Sequence, residues 1–589
     1  MNPFVDFLNS MHPVTGDSLG ALAERQVGNE YAQKCHVVRK VGRYIFDEIQ
    51  SGKKVAFIIT GHAGDGKTSI LVQLLRDLHM LPGGTILEKC KECVNDEGKK
   101  LLYVKDMSEI ALDERKELLR KALLAPKYDS CSILVSNTGP LLSAFRALLE
   151  SDAAEKGIMY DEDRRINDHT ILLDQMDLNT SNIINVGEYA FIMINIARID
   201  NTSFAKEFLK KVLQPDNWGS CIACTHKDKC PVYWNAMILG EYKERVFEFV
   251  DSYYRYMYEY DQRMTIRQIQ AHLCYALTGG LTCETIKANH KDQRIRYNFA
   301  NTYFGYHDRV FQESVKEIKA INQLAYLCLD KKTQADDYNL FVKEDYSVFP
   351  LKIKSILENY AKKLLLHAYC QSADGKNSES AIEIRRMIRR FYLLYSQVDD
   401  NSLAKILNSC FGDGFVEYTN MIKKPNMPTL TKRKMRDIVF QALYMDNTGF
   451  LPKRSNEWLP LTLHRSDSTF QSVLLVLGEI RKEDLSIIQL PVDNKMNDIE
   501  NEQAIYLSLN GKDYQLNLPL YQYFENRKNG IISSSYNPSL THNIANLETF
   551  LNNCVHAGSS DVIKLLCNTS KGQRTITVYY DGNSTRLSM

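Results

Sequence analysis

Short apolar runs alternate with helical spacing over the first 200 residues, and this alternation predicts an α/β fold. Four of the runs are short and rich in β-branched residues, so we predict buried strands at residues 54–60, 101–104, 132–136 and 190–196. The amphipathic segments between them predict the helices that parallel strands need for their crossovers. A helical stretch before residue 50 leads into the first strand.

The period changes further along the chain. Ile266, Ile269 and Leu273 share one face of a predicted helix, and helical spacing dominates from about residue 310 to 440. Long helices are predicted there at 353–366 and 381–395. From about residue 455 the spacing favours strands, interrupted by a helix near 547–551, which is typical of an α+β domain. The predicted strands are 461–464, 473–477, 504–509, 562–566 and 575–580.

Composition narrows the class of protein. The 73 Lys and Arg residues balance 72 Asp and Glu residues, so no global basic field marks a nucleic-acid binder. No apolar run reaches the length of a membrane span, and residues 1–17 lack the basic and apolar parts of a signal peptide. We therefore expect a cytoplasmic protein without a membrane partner. Fourteen cysteines in 589 residues indicate metal binding rather than a disulfide framework.

The most specific motif is Gly-His-Ala-Gly-Asp-Gly-Lys-Thr at residues 61–68, which matches G-x-x-x-x-G-K-[ST]. A predicted strand precedes it and a predicted helix follows, which is the context that a phosphate-binding loop requires. Glycines let backbone N–H groups converge on phosphate oxygens, Lys67 would reach the β- and γ-phosphates, and the Thr68 hydroxyl would bind Mg²⁺. An ordinary glycine turn is the alternative. The candidate nucleotide ligands are Gly61, Gly64, Asp65, Gly66, Lys67, Thr68 and Ser69.

Acidic and amide side chains follow the next two predicted strands. Asp106 is the candidate for the Mg²⁺ side of the site, although a solvated strand-end carboxylate is the alternative. The next position, where many ATPases have a water-activating glutamate, is Met107, so Glu109 is the candidate base or hydrolysis is slow. Asn137 is a candidate sensor that orients the attacking water, or else an asparagine that starts a turn before Gly-Pro.

Two arginines at the start of the predicted helix near 264–273 are further candidate nucleotide ligands. Arg263 and Arg267 are four residues apart, which places them on one side of a helix. An arginine that reaches from a helical lid to a nucleotide couples the phosphate state to the lid angle. A solvent-facing arginine pair has the same spacing, so both interpretations stay open.

A cysteine cluster indicates a metal site. Cys221, Cys224 and Cys230 follow the spacing C-x2-C-x5-C in a polar segment, which favours structural zinc over the alternative, an iron–sulfur cluster. Three thiolates leave one ligand missing. His226, or a thiolate from the pair Cys90 and Cys93, is the candidate for the fourth position.

Two basic segments are candidate contacts for a nucleic-acid backbone. One is the stripe of arginines on the helix at 381–395, and the other is the run at 432–436. A solvated helix face or a protein interface explains such runs equally well. The arginines of the stripe are Arg385, Arg386, Arg389 and Arg390.

The order of these motifs resembles the DptF family of DNA phosphorothioation-dependent restriction systems. The resemblance rests on residues 61–68, 104–109 and 135–139, on the three cysteines with Pro231 and Asn235, and on 263–267. It implies a P-loop ATPase subunit that uses ATP and Mg²⁺ and works with DptG- and DptH-like partners against DNA lacking the phosphorothioate mark. Contact with DNA through that complex and assembly into a homo-oligomer are further expectations. Met107 departs from the general ATPase pattern.

Together these features predict an AAA+-like P-loop NTPase core with a helical lid, then a helical region and a C-terminal α+β domain. The predicted segments are an N-terminal helical segment (1–50), the NTPase core (51–200), a lid with the cysteine insertion (201–300), a helical domain (301–450) and the α+β domain (451–589). The alternatives are a nucleotide-binding scaffold and a signalling NTPase with little turnover. No motif distinguishes ATP from GTP.

Overall fold

The computed structural model describes two compact units, each with its own packing. The first contains Met1–Tyr258, Arg263–Asp399 and Asn494–Glu500, and the second contains Glu259–Gln262, Asp400–Asp493 and Asn501–Met589. The five predicted segments are smaller than these units and stay predictions as separate domains. The residues that the structure describes are 1–15, 28–81, 87–289, 291–371, 374–463, 472–492, 495–499, 502–533, 536–555, 562–569, 572–580 and 584–588.

The first unit combines an α/β layer with many helices. Its strands are β1 (Ala56–Thr60), β2 (Cys90–Val94), β3 (Lys100–Val104), β4 (Cys131–Val135), β5 (Ile184–Val186), β6 (Tyr189–Asn195), β7 (Tyr306–His307) and β8 (Val310–Phe311). Its helices up to residue 259 are α1 (Pro3–Asn9), α2 (Glu30–Lys34), α3 (Lys40–Gln50), α4 (Lys67–Asp77), α5 (Leu112–Leu124), α6 (Thr138–Glu155), α7 (Glu162–Leu178), α8 (Phe204–Val212), α9 (Gly219–Ile222), α10 (Pro231–Glu241) and α11 (Lys243–Glu259). They continue as α12 (Ile266–Thr278), α13 (Cys283–Ala288), α14 (Phe299–Thr302), α15 (Lys319–Leu327), α16 (Asp337–Phe341), α17 (Leu351–Ile356), α18 (Lys363–Gln371) and α19 (Glu379–Tyr395).

The central sheet confirms the predicted α/β alternation. Its strand order is β2-β3-β4-β1-β6-β5, and the four inner strands β3, β4, β1 and β6 run parallel. The edge strands β2 and β5 are antiparallel to their neighbours. Because β4 lies between β1 and β3, the residues that follow these three strands meet at one edge of the sheet.

Both faces of the four inner strands are buried, which explains why these strands are largely continuous apolar runs. Alternate residues of β1 point to opposite cores: Phe57 and Ile59 to one, and Ala56 and Ile58 to the other. Helices α3 and α4 cover the first face, whereas α5, α6 and α7 cover the second. The sheet is therefore a rigid platform for the loops at its carboxyl edge.

The second unit is helical at its start and antiparallel β further on. It contains α20 (Asp400–Phe411), α21 (Phe415–Lys423), α22 (Thr429–Thr448), α23 (Leu518–Lys528) and α24 (Pro538–Cys554). Its strands are β9 (Trp458–Leu463), β10 (Val473–Arg481), β11 (Ser486–Pro491), β12 (Gln503–Leu509), β13 (Lys512–Leu516), β14 (Val562–Thr569), β15 (Gly572–Tyr580) and β16 (Thr585–Ser588). They form a five-stranded sheet, β16-β15-β14-β10-β9, and a three-stranded sheet, β11-β12-β13.

The predictions for this second half are confirmed for the longer elements. Five predicted strands correspond to β9, β10, β12, β14 and β15, and the helix near 547–551 lies in α24. Sequence spacing missed β11, β13, β16 and α23. The predicted helix at 353–366 is continuous but includes a π-helical stretch at Leu357–Lys362. Among the described residues, no helix is both long and apolar enough to span a bilayer.

Candidate functional site

The glycine loop at residues 61–66 joins the buried strand β1 to α4. Gly64 and Gly66 both have φ of 88°, a left-handed conformation that side chains with a Cβ seldom adopt. Gly66 is the N-cap of α4 and no side chain caps that helix. The first backbone N–H groups of a helix have no acceptor within the helix, so this end of α4 presents donors and a positive dipole to an anion.

Lys67 is buried and already surrounded by oxygen atoms. Its Nζ donates to the carbonyls of Gly61 at 3.0 Å and His62 at 2.7 Å, and to Oδ1 of Asn137 at 2.7 Å. Burial lowers the pKa of this lysine and the charge of Arg267 lowers it further, whereas Asp65 and Asp106 act in the opposite direction. A phosphate oxygen is the kind of acceptor that can replace one of these three partners.

A chain of hydrogen bonds connects Lys67 to the candidate acidic residue. Asn137 accepts from Lys67 and donates through Nδ2 to Oγ of Ser108 at 2.9 Å. The backbone N–H of Ser108 in turn donates to Oδ1 of Asp106 at 2.8 Å. Lys67, Asn137 and Asp106, which lie in separate segments of the sequence, are therefore linked through Ser108. Ser108 was missed, because a serine two residues after a strand-end aspartate has no signature of its own.

Met107 occupies the position where many ATPases have a water-activating glutamate. Its side chain is fully buried in the core between the sheet and helices α5 and α6. Asp106 caps a short 3₁₀ turn, Met107–Glu109, and this turn directs the residue after Asp106 into the core. A water-activating group cannot stand at that position. The side chain of Glu109, the other candidate, lies outside the described part of the structure.

Helix α12 begins against the glycine loop. Thr265 caps it in a reciprocal capping box with Gln268, and the backbone N–H of Arg267 donates to the carbonyl of Gly64 at 3.1 Å. A Cβ on Gly64 would lie 3.1 Å from Oγ1 of Thr265, so glycine is needed for this close approach as well as for its φ. The predicted lid helix therefore touches the predicted phosphate loop.

The prediction that Arg263 and Arg267 share one side of a helix is wrong. The cap at Thr265 starts α12 at Ile266, so Arg263 lies in the segment before it. Arg263 pairs with the fully buried carboxylate of Asp65 at 2.7 Å and donates to the carbonyl of Ile196 at 2.9 Å. Arg267 has an exposed side chain beside the loop. Asp65 is thus a structural partner of the lid, which sequence reasoning did not foresee.

A cleft beside the loop is lined mainly by apolar and aromatic side chains. It includes Gly66 and Ser69 of the candidate site and Ile266 of α12. Thr68 lies one residue before Ser69, half-buried in the first turn of α4. The remaining residues lining the cleft come from α1, α8, α12 and the segment before α3: Phe7, Met11, Ala32, Cys35, His36, Val37, Arg39, Phe204, Phe208 and Gln270.

The cysteine cluster lies elsewhere in the first unit. Cys221, Cys224, Cys230 and His226 all line one small cavity, together with Cys283, a residue that sequence spacing did not single out. Within the described residues, no three histidine, cysteine or carboxylate side chains already stand in the arrangement of a metal centre. All fourteen cysteines are free thiols.

The pair Cys90 and Cys93 is poorly placed to supply the fourth ligand. Both residues lie on the edge strand β2, three positions apart, so their side chains point to opposite faces of the sheet. Cys90 packs against the core on one face and Cys93 against the core on the other. Neither thiol lines the cavity of Cys221, Cys224 and Cys230, so neither lies where a fourth ligand to those thiols is needed.

The arginine stripe of α19 is an internal ion-pair network. Arg390 is fully buried, pairs with Asp330 at 2.8 Å and lies over the Tyr306 ring. Arg389 pairs with Asp337 at 2.6 Å, and Arg386 donates to Glu383 and Tyr306. The interpretation of this stripe as a phosphate-backbone contact is therefore wrong for these three side chains.

Comparison with known proteins assigns the chain to no family. No protein-family model matches the chain, and no curated protein matches it either. What the chain can do must therefore be argued from its own residues.

Proposed function

We propose that the chain binds ATP with Mg²⁺ at the glycine loop and hydrolyses it. The observation that carries the proposal is the set of contacts of Lys67, a buried ammonium at the edge of a parallel sheet, held by the oxygens of Gly61, His62 and Asn137. An ammonium group in that position is complementary to a triphosphate. The uncapped start of α4 provides backbone donors beside it.

The neighbouring groups fit the rest of the ligand. Thr68 and Asp106 would hold Mg²⁺, which would neutralise charge that develops on the phosphate oxygens. Asn137 is in hydrogen-bond contact with both Lys67 and Ser108, so it can orient a water relative to the phosphate.

Hydrolysis depends on positioning rather than on a glutamate next to Asp106. With Met107 in the core, we assign the water-activating role to Glu109, and Arg263 and Arg267 transmit the state of the site to the lid. The alternative, a scaffold or signalling NTPase with little turnover, draws its support from the same buried Met107.

The larger role that we propose is a subunit of a multi-protein antiphage restriction complex that acts on DNA lacking phosphorothioate. Its support is the order of motifs shared with the DptF family. Because three arginines of α19 are occupied internally, we propose that DNA is engaged through DptG- and DptH-like partners. Isolating the tagged chain from its native host, with and without DNA, would identify these partners.

The enzymatic proposal is tested by ATP turnover of the full chain. Lys67→Ala and Glu109→Ala should each abolish turnover, whereas Lys53→Ala, which removes an exposed lysine before β1, should leave it unchanged. Binding of ATP without turnover in the unaltered protein would favour the scaffold. Turnover that survives Lys67→Ala would refute the proposal.

A further inference from the structure

Three clustered cysteines and a fourth from further along the sequence line the same cavity in the first unit. Cys221 and Cys224 flank the end of α9, Cys230 caps α10, and Cys283 is the first residue of α13. The cavity measures about 40 Å³. The thiols of Cys221 and Cys230 are near enough to Cys283 to interact with it electrostatically, and Cys221 also interacts with Cys224.

Three of the four sulfur atoms accept hydrogen bonds from N–H groups. The side-chain amide of Asn2 donates to Sγ of Cys221 at 3.3 Å, and its backbone N–H donates to Sγ of Cys283 at 3.5 Å. The backbone N–H of Tyr233 donates to Sγ of Cys230 at 3.4 Å. N–H donors aimed at sulfur are what a thiolate ligand needs, because they stabilise its negative charge and fix its orientation.

We propose that Cys221, Cys224, Cys230 and Cys283 bind one zinc ion as a closed four-thiolate site. Four thiolates at about 2.3 Å complete the tetrahedral shell that structural zinc prefers, and they leave no open position for catalysis. The small cavity suits a single ion better than a multi-iron cluster. Zinc binding would draw the four thiols closer together, because they do not already stand as a metal-ligand group.

Cys283 is a better candidate for the fourth zinc ligand than His226. His226 is also half-buried and lines the cavity, with Nδ1 in hydrogen-bond contact with Oγ1 of Thr225 at 3.0 Å, but it is Cys283 that shares the donor Asn2 with Cys221. Cys283 is half-buried beside the other thiols and already accepts the N–H of Asn2. A ligand 53 residues beyond Cys230 also closes a long loop of chain, as a structural metal commonly does.

The position of this site gives the zinc a role in the lid. Helix α12 begins at the glycine loop and spans 13 residues, so its other end lies about 20 Å away. That far end is held by Asn235, which donates to the carbonyl of Leu277, and by Asn9, which donates to the carbonyl of Leu281. Cys283 follows directly, so the zinc anchors the end of the lid remote from the nucleotide.

The test is the metal content of the purified full chain, measured by mass spectrometry together with its visible absorption. We expect about one zinc per chain, as a four-ligand site requires. Cys283→Ser should lower that content at least about tenfold. His226→Gln, Cys90→Ser and the exposed control Cys370→Ser should leave it unchanged.

A second measurement covers variants that fail to fold. Cobalt substituted into the unaltered protein should show the absorption of a four-sulfur site rather than a three-sulfur, one-nitrogen site. Iron with sulfide in place of zinc, a chain without metal, or full zinc content in Cys283→Ser would each overturn the proposal. The outcome does not depend on whether the glycine loop binds ATP.

Discussion

The glycine loop and the cysteine cluster are two candidate sites whose ligand-binding groups are held in different ways. At the loop, Lys67 donates to three oxygen atoms, and Asp65 pairs with Arg263. At the cluster, N–H groups donate to three of the four cysteine sulfur atoms. A nucleotide would displace oxygens that hold Lys67 and gain the uncapped N–H groups of α4, whereas a metal ion would bind sulfur atoms that N–H groups already orient.

This difference has an energetic consequence. A nucleotide that binds the folded state stabilises it by mass action, by about 2.7 kcal/mol at one hundred times its Kd. A structural zinc supplies folding free energy directly, and apparent values reach about 10–16 kcal/mol in small zinc domains. We expect the protein to tolerate loss of nucleotide far better than loss of metal.

The largest predicted effect is therefore metal removal. Stripping zinc with a chelator should lower the free energy of local opening around α10 and α13 by on the order of 5 kcal/mol, because four thiolates lose their common ligand. Hydrogen exchange of amides in these helices measures it. The strands β1 and β4 serve as the internal control, and unchanged protection of α10 and α13 would contradict the proposed site.

The second-largest expected effect is that of breaking the ion pair between Asp65 and Arg263 at the glycine loop. Asp65→Ala leaves Arg263 largely buried without its carboxylate and should destabilise the first unit by about 3–5 kcal/mol. Denaturant unfolding followed by the fluorescence of Trp218 and Trp234 measures this in a Trp458→Phe background.

The matched control for the Asp65–Arg263 pair is an exposed ion pair, Asp177 with Arg198. Asp177→Ala removes the partner of Arg198, and both side chains of this pair are more than half exposed, so the loss should stay within about 1 kcal/mol. Equal losses for the buried and the exposed pair would show that Asp65 is not a structural partner of the lid.

Replacing Asn137, which hydrogen bonds to both Lys67 and Ser108, should lower the rate of ATP turnover more than it destabilises the fold. Asn137→Ala deletes both contacts, so we expect ATP turnover to fall about 10- to 100-fold while ATP affinity changes little. Steady-state kinetics separates the two effects. Asn185→Ala, on the exposed side of the edge strand β5, is the control. A pure loss of affinity would assign Asn137 to binding alone.

The smallest expected effect is a change of ligand affinity with pH. ATP binding should weaken as pH rises, whereas zinc binding should weaken as pH falls. The lowered pKa of Lys67 means that its charge is lost as pH rises through a value below that of an ordinary lysine, so ATP affinity should fall about tenfold on the alkaline side. Protons compete with metal for thiolates, so zinc should leave as pH falls.

A variant sharpens the alkaline prediction. Arg267 lowers the pKa of Lys67, so Arg267→Ala should raise that pKa and move the loss of ATP affinity to higher pH. Titrations of ATP binding from neutral to alkaline pH measure the midpoint. A midpoint that stays in place or moves to lower pH would contradict the assigned electrostatics.

The two sites also differ in how far sequence could predict them. Gly61 to Thr68 form one contiguous motif between a strand and a helix, so local pattern was enough to place the loop. Asp106 and Asn137 were found because parallel strands end at the same edge of a sheet. The sheet order, with β4 between β1 and β3, brings them to Lys67.

What sequence missed depends on contacts between distant segments or on helix caps. Cys283 reaches the other cysteines only through the packing of α1, α10 and α13, which no spacing rule encodes. Thr265 with Gln268 moved the start of α12 past Arg263, so the arginine pair was misjudged. The burial of the basic stripe on α19 was missed because Asp330 and Asp337, the partners of Arg390 and Arg389, lie more than 50 residues away.

Calorimetric titration of MgATP into the full chain tests the central claim most directly. The account predicts one site per chain with a Kd in roughly the 1 µM to 1 mM range, and binding at least about 100-fold weaker for Lys67→Ala than for Lys53→Ala. Equal affinities for these two variants, or no heat of binding by the unaltered protein at millimolar MgATP, would contradict it.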